Sequence, residues 1–358
     1  MIVRTLIAAL AALFVSAGAA AAFPVGERHL MTTSPTAPLR DAEHRAILRI
    51  TVWYPAAADA KPLPLTIGPP DKPLFEIGEV AADAAFADGK RRPVILFSHG
   101  FGGTARMMGW FTIPLAAAGY VVIAVDHPGN NGMDKMTAPG AMMFWDRPED
   151  LRDALAKVEA DPAIAPHLDA RRLGVAGFSA GGFTALVAAG ARIDLPRFRS
   201  FCQANPTDGV CAPQKEFVLT QDDAAKLAVA PEFAPEMARA NGAHAVPGVK
   251  AAFAIAPAIV QALDPESLKA MRVPVAIILG NADPVAPPKT NGLAAAQALP
   301  HPELTELQDV GHYDFLAPCT PAGEQTVPLC NTKAPKDATH RAAIHAALDF
   351  FEHTLGAP

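Results

Sequence analysis

The stretch Leu173-Gly174-Val175-Ala176-Gly177-Phe178-Ser179-Ala180-Gly181-Gly182-Phe183-Thr184-Ala185-Leu186 constrains this chain more than any other. Small β-favouring residues run into Gly177-Phe178-Ser179-Ala180-Gly181, and a Gly/Ala-rich apolar segment suited to a close-packed helix follows. The pattern predicts a strand, a sharp turn and a helix. A serine at the apex of such a turn sits in a strained backbone, so the residues two before and two after it must lack bulk. Gly177 and Gly181 meet that need. The geometry also sets a helix N-terminus under Ser179, where backbone N–H groups and the helix dipole face any negative charge that develops there. Ser179 is therefore the candidate nucleophile.

The segments around it read as a parallel, doubly wound α/β sheet with helices on both faces. Arg92 to Ser98 is a continuous apolar run of the kind buried on both faces, and it discharges into His99-Gly100-Phe101-Gly102-Gly103. A helix over about Ala105 to Ala118 and a strand over Tyr120 to Val125 follow, then a helix opened by Pro148. Beyond Ser179, Asp194 to Pro247 breaks the rhythm with polar, proline-punctuated sequence and reads as an insertion with the character of a lid. The rhythm resumes with strands over Val249 to Ile255, Val273 to Leu279 and Glu303 to Leu307, and with a terminal helix aligning Ile344, Leu348 and Phe351. Upstream, Ile50 to Pro55 is a strand and Lys61 to Pro73 a proline-rich loop. Phe23 to Leu48 carries no clear pattern.

A serine hydroxyl needs a base within hydrogen-bond reach and a third group to hold that base's tautomer. In a fold of this kind they follow the serine in the order acid, histidine, in loops at later strand ends. Gly280-Asn281-Ala282-Asp283-Pro284 offers Asp283 as the acid, with Asp264 the alternative. Of the five histidines after Asp283, only His312 follows a strand and a glycine, in Asp309-Val310-Gly311-His312-Tyr313-Asp314-Phe315. His301 precedes its strand, and His340, His345 and His353 are expected to be solvated on the terminal helix. Asp309 and Asp314 are expected to point elsewhere. Two N–H donors for a developing oxyanion would be the backbone groups of Ala180 and Phe101. Asp126-His127-Pro128-Gly129 reads as a turn, and Met142-Met143-Phe144-Trp145 fits a pocket wall and a core equally well.

Composition narrows the setting. Met1 to Ala22 has one cation, Arg4, then an apolar run and an Ala-x-Ala site before Phe23, which is the pattern of a secretory signal peptide. The mature domain would then span 23–358 and be periplasmic or secreted, without a stable membrane anchor. The net charge of −6 becomes −7 once Arg4 is removed, and with no basic runs this argues against nucleic acid as a partner. Four cysteines, Cys202, Cys211, Cys319 and Cys330, lack metal-site spacing. They allow three pairings, of which the local one, Cys202 with Cys211 and Cys319 with Cys330, is expected. The second would brace the His312 loop.

Taken in order, Trp53-Tyr54-Pro55, Ser98-His99-Gly100-Phe101-Gly102-Gly103, Gly177-Phe178-Ser179-Ala180-Gly181-Gly182, Asp283 and Gly311-His312-Tyr313-Asp314-Phe315 resemble one group of proteins. These are exported α/β-hydrolases classed as predicted dienelactone hydrolases and related to platelet-activating-factor acetylhydrolases. The resemblance covers about Ile50 to the C-terminus outside the insertion. It implies a serine hydrolase of carboxylic esters with no metal and no organic cofactor, acting on a small molecule. Ser179 stands where true dienelactone hydrolases carry a cysteine. An amidase, peptidase or polyester depolymerase would use the same residues, and a catalytically silent binding protein could keep the fold.

Overall fold

The computed structural model describes residues 22–332 and 334–358, so the expected leader lies outside the described residues except for Ala22. Ten strands make one sheet: β1 Val25–Thr33, β2 Ile47–Pro55, β3 Leu63–Ile67, β4 Phe75–Ala82, β5 Arg92–Ser98, β6 Val121–Asp126, β7 Leu168–Phe178, β8 Val249–Ile255, β9 Val275–Gly280 and β10 Glu303–Leu307. Their spatial order is β10-β9-β8-β7-β5-β6-β2-β1-β4-β3. From β10 to β6 every pairing is parallel. β2 joins β6 antiparallel, β1 runs antiparallel to β2, and β3 with β4 forms an outer hairpin.

The apolar runs are explained by what covers them. Along β5, Val94 and Leu96 face one core while Ile95 and Phe97 face the other, and β6 alternates likewise with Val121 and Ile123 against Val122 and Ala124. The first core is closed by the helices Arg147–Glu159 and Ala180–Ala188, through Leu151, Leu155, Phe183 and Leu186. The second is closed by Gly109–Ala118 and the terminal helix Lys336–Leu355, through Phe111, Leu115, Phe350 and Phe351. Because these strands run parallel, all their carboxyl ends lie at one rim, where ligands bind in open α/β sheets.

Several expectations need correction. Phe23 to Leu48 contains β1, nine residues paired along their whole length with β2. The proline-rich loop holds β3, whose partner β4 was not anticipated. On the terminal helix the buried face is Ala343, Ala347, Phe350 and Phe351, one position round from the expected one, leaving Ile344 and Leu348 half-buried. His340 is not solvated: it stacks on Trp110 with ring centres 3.8 Å apart, and its Nε2 lies 3.0 Å from the Leu316 carbonyl. His345 and His353 are exposed as expected.

The segment from Asp194 to Pro247 carries three helices, Leu195–Ala204, Gln221–Val229 and Ala234–Arg239. Cysteine pairing is the local one, Cys202 with Cys211 and Cys319 with Cys330. No described helix is long and apolar enough to cross a membrane.

Candidate active site

Ser179 stands between β7 and the Ala180–Ala188 helix with φ 58° and ψ −118°, a conformation that L-residues rarely adopt. Neighbours over-determine it. Its N–H donates to the Ile255 carbonyl at 2.9 Å, and its own carbonyl accepts from Gly182, Phe183 and Ala258. The flanking glycines are required by contact: a Cβ on Gly177 would strike the Gly181 carbonyl, and one on Gly181 would strike the Ser98 carbonyl. The strand-to-helix turn therefore closes only with glycine at both places.

Asp283 and His312 arrive from the ends of β9 and β10. His312 Nε2 is 2.8 Å from Ser179 Oγ, and His312 Nδ1 is 2.6 Å from Asp283 Oδ2. All three side chains are buried. The other Asp283 oxygen accepts from the Val285 and Ala286 N–H groups, each at 2.8 Å, so the carboxylate is aimed from behind. A carboxylate accepts only, which makes His312 Nδ1 the donor and leaves Nε2 to accept the serine proton. Such a hydroxyl can lose its proton to the imidazole as it attacks an electrophile.

The other candidates fall away. Asp264 caps the short helix Pro265–Lys269. Asp314 accepts from the Gly311 N–H at 2.7 Å, and Asp309 and His301 are exposed.

Phe101 and Ala180 line one cavity of about 620 Å³ with Ser179. Among the described residues neither of their N–H groups has a hydrogen-bond partner. Gly100 packs so closely that a Cβ there would sit 3.3 Å from Ser179 Cβ. The walls are mainly apolar, made by Met142, Phe144 and Trp145 together with Phe198, Phe217 and Leu219 from the 194–247 segment, and Phe198 packs edge to face on Phe144. The Met142 to Trp145 run is thus both wall and core, since Met143 and Trp145 are also buried among core residues.

Sequence reasoning missed a polar cluster behind the 99–103 loop. Ser98 Oγ is 2.8 Å from His127 Nε2, His127 Nδ1 is 2.8 Å from Asp150, and Asp150 pairs with both terminal nitrogens of Arg40. Burial, with the Arg147 charge, pushes His127 down to about 3 and so keeps it neutral. Burial alone would raise the Asp150 carboxyl, but the Arg40 guanidinium and the His127 contact hold it well below the usual carboxylate range. Arg147 is buried too, and burial lowers its pKa against the pull of Asp150. The expected turn at Asp126 to Gly129 is present, with Asn130 N–H donating to the His127 carbonyl. No local pattern, however, links residues 40, 98, 127, 147 and 150.

Among the described residues no three His, Cys, Asp or Glu side chains are grouped so as to hold a metal ion. In comparison with known proteins, a family model described as an alpha/beta hydrolase family matches residues 95–321. The solved ferulic acid esterase from Streptomyces cinnamoneus is similar in fold, with a TM-score of 0.59 over 94% of this chain and 91% of that one, at 19% identity. No curated protein matches the sequence. The family match spans well over half of the chain and runs from the strand before the glycine loop to beyond His312, so the chain belongs to the alpha/beta hydrolase family.

Proposed function

We propose that this protein is an exported serine hydrolase of carboxylic esters that works through an acyl-enzyme at Ser179. The observation that carries the reading is the continuous hydrogen-bonded series Ser179 Oγ, His312 Nε2, His312 Nδ1, Asp283 in one cavity. Ser179 Oγ attacks the ester carbonyl while its proton passes to His312, and Asp283 holds the imidazole and stabilises its positive charge. The Phe101 and Ala180 N–H groups receive the oxyanion. His312 then gives the proton to the departing alcohol, and a water repeats the sequence in reverse to release the acid.

The aromatic and aliphatic walls favour an ester with a bulky apolar or aromatic group over a small polar one. The 194–247 segment caps the cavity, with Glu216 packed on Gly102 and the Lys215 ammonium 5.3 Å from the Tyr313 ring centre. Two disulfides suit a periplasmic or secreted life.

A fluorophosphonate should modify Ser179, and Ser179→Ala should lower kcat/KM for p-nitrophenyl esters by at least about 10⁴-fold. The matching anilide should turn over far more slowly than the ester. A folded wild-type protein that neither takes the label nor cleaves any ester would instead support a silent binding protein.

A further inference from the structure

The Gly100–Phe101 peptide carries the N–H assigned to one oxyanion donor, and its orientation is set from behind. In a trans peptide the C=O and N–H point in opposite directions, so holding the Gly100 carbonyl fixes where the Phe101 N–H points. Three donors hold it: His99 Nδ1 at 2.6 Å, Arg147 Nη2 at 3.2 Å and the Gly103 N–H at 3.2 Å. His99 can donate from Nδ1 because its Nε2 accepts the His127 N–H at 3.2 Å.

Arg147 reaches further than the others. Nη1 donates to the His99 carbonyl at 2.6 Å and lies 3.4 Å from Ser98 Oγ, while Nη2 also donates to Asn130 Oδ1 at 2.9 Å. Asn130 Oδ1 in turn accepts the Gly102 N–H at 3.0 Å. One planar guanidinium thus grips the loop at residues 98, 99, 100 and, through Asn130, 102. Its side chain is buried, and among the described residues it forms no ion pair. A buried charge spent on carbonyl oxygens is expensive, so its retention calls for a return in geometry.

We propose that Arg147 is the positioning residue of the oxyanion loop: by donating to the His99 and Gly100 carbonyls it turns the Phe101 N–H toward the carbonyl oxygen of an ester attacked by Ser179. The proposal rests on the reading of Ser179 as nucleophile. Arg147 borders the cavity, but its four terminal N–H bonds all point at protein oxygens, which assigns it to the loop and not to the substrate.

The test compares wild type, Arg147→Met and Arg147→Lys on p-nitrophenyl butyrate, with a trifluoromethyl ketone as an inhibitor whose adduct bears an oxyanion. Arg147→Met should lose 30- to 300-fold in kcat with KM within twofold, and its affinity for the ketone should fall by the same factor as kcat/KM. Arg147→Lys, which keeps the charge but cannot bridge two carbonyls and Asn130, should lie between the two. Millimolar guanidinium should restore part of the Arg147→Met rate. If Arg147→Met does not fold, the kcat and ketone affinity of Arg147→Lys decide. A folded variant with kcat within threefold of wild type overturns the proposal, as does a rise in KM with kcat unchanged, which would make Arg147 a substrate contact. Wild type that is inert to esters and fluorophosphonate alike refutes the nucleophile reading first, and the proposal with it.

Discussion

Ser179 is held in a conformation that costs about 1–3 kcal/mol, and the surrounding hydrogen bonds supply the compensation. Gly181→Ala is expected to destabilise the protein by more than about 4 kcal/mol or to prevent folding, because the new Cβ would meet the Ser98 carbonyl and neither backbone can retreat. Urea unfolding measures it, and a wild-type midpoint would show that the turn relaxes. Asp283→Asn separates shape from charge. With Val285 and Ala286 donating to one oxygen, the variant would turn its NH₂ toward His312 and enforce the wrong tautomer. Its kcat is expected to fall about 10³–10⁴-fold with the thermal midpoint nearly unchanged. At this scale the sequence was informative, since residues 179, 283 and 312 each follow a strand and lie near a glycine. Arg147 and His127 carry no such punctuation. The partners of their side chains lie 17 to 49 positions away, and only the folded sheet makes them neighbours.

Two disulfide-closed loops support the elements that carry the site. The loop of Cys202–Cys211 rests on the Asp283 segment: Gly209 lies against the Pro284 and Val285 carbonyls, and Thr290 Oγ1 donates to Asp208 at 2.8 Å. The chain between His312 and Cys330 is tied to the outer hairpin instead. There Thr320 N–H donates to the Leu74 carbonyl, the Thr320 hydroxyl donates to the Pro73 carbonyl, and Glu76 N–H donates to the Pro318 carbonyl. Replacing Cys319 and Cys330 by serine is expected to cost roughly 2–3 kcal/mol and to lower esterase activity several-fold at temperatures where circular dichroism still reports the native fold. Unchanged activity in the folded variant would remove the bracing role. These contacts also explain the misreading of Lys61 to Pro73 as loop throughout. Prolines and glycines dominate the local signal, yet the β3–β4 hairpin forms because the loop after His312 and β1 offer partners at the two ends of β4, along the edge that β3 leaves open.

Across the whole molecule, burial sets the response to acid. His127 is pushed down to about 3 and His340 to about 4, mainly by burial, and His99 also lies well below its ordinary value. Below about pH 6.5 the unfolded chain therefore binds protons that these native side chains refuse, so stability is lost as pH falls toward their folded values. Asp146 and Asp126, raised by burial, act in the opposite sense, since the native state keeps a proton there that the unfolded chain releases. Asp153 is raised by burial as well, so the net acid loss rests on the three histidines together with Asp150, Glu149 and Asp41, whose carboxyls are held low and whose native advantage is lost below about pH 4. The thermal midpoint is expected to drop by about 10 °C or more between pH 7 and pH 4, and a flat profile would contradict the neutral buried histidines. The sequence by itself determined the parallel sheet, the turn at Ser179 and the chain order of residues 179, 283 and 312, and it favoured the local cysteine pairing among the three it allowed, because each depends on periodicity or on residues close in the chain. The tertiary structure alone decided the antiparallel outer strands, the facing of the terminal helix, the walls of the cavity and the cluster around Arg147. Those depend on which distant surfaces meet, and a burial or hydrogen-bond partner far away in the chain leaves no local pattern to read.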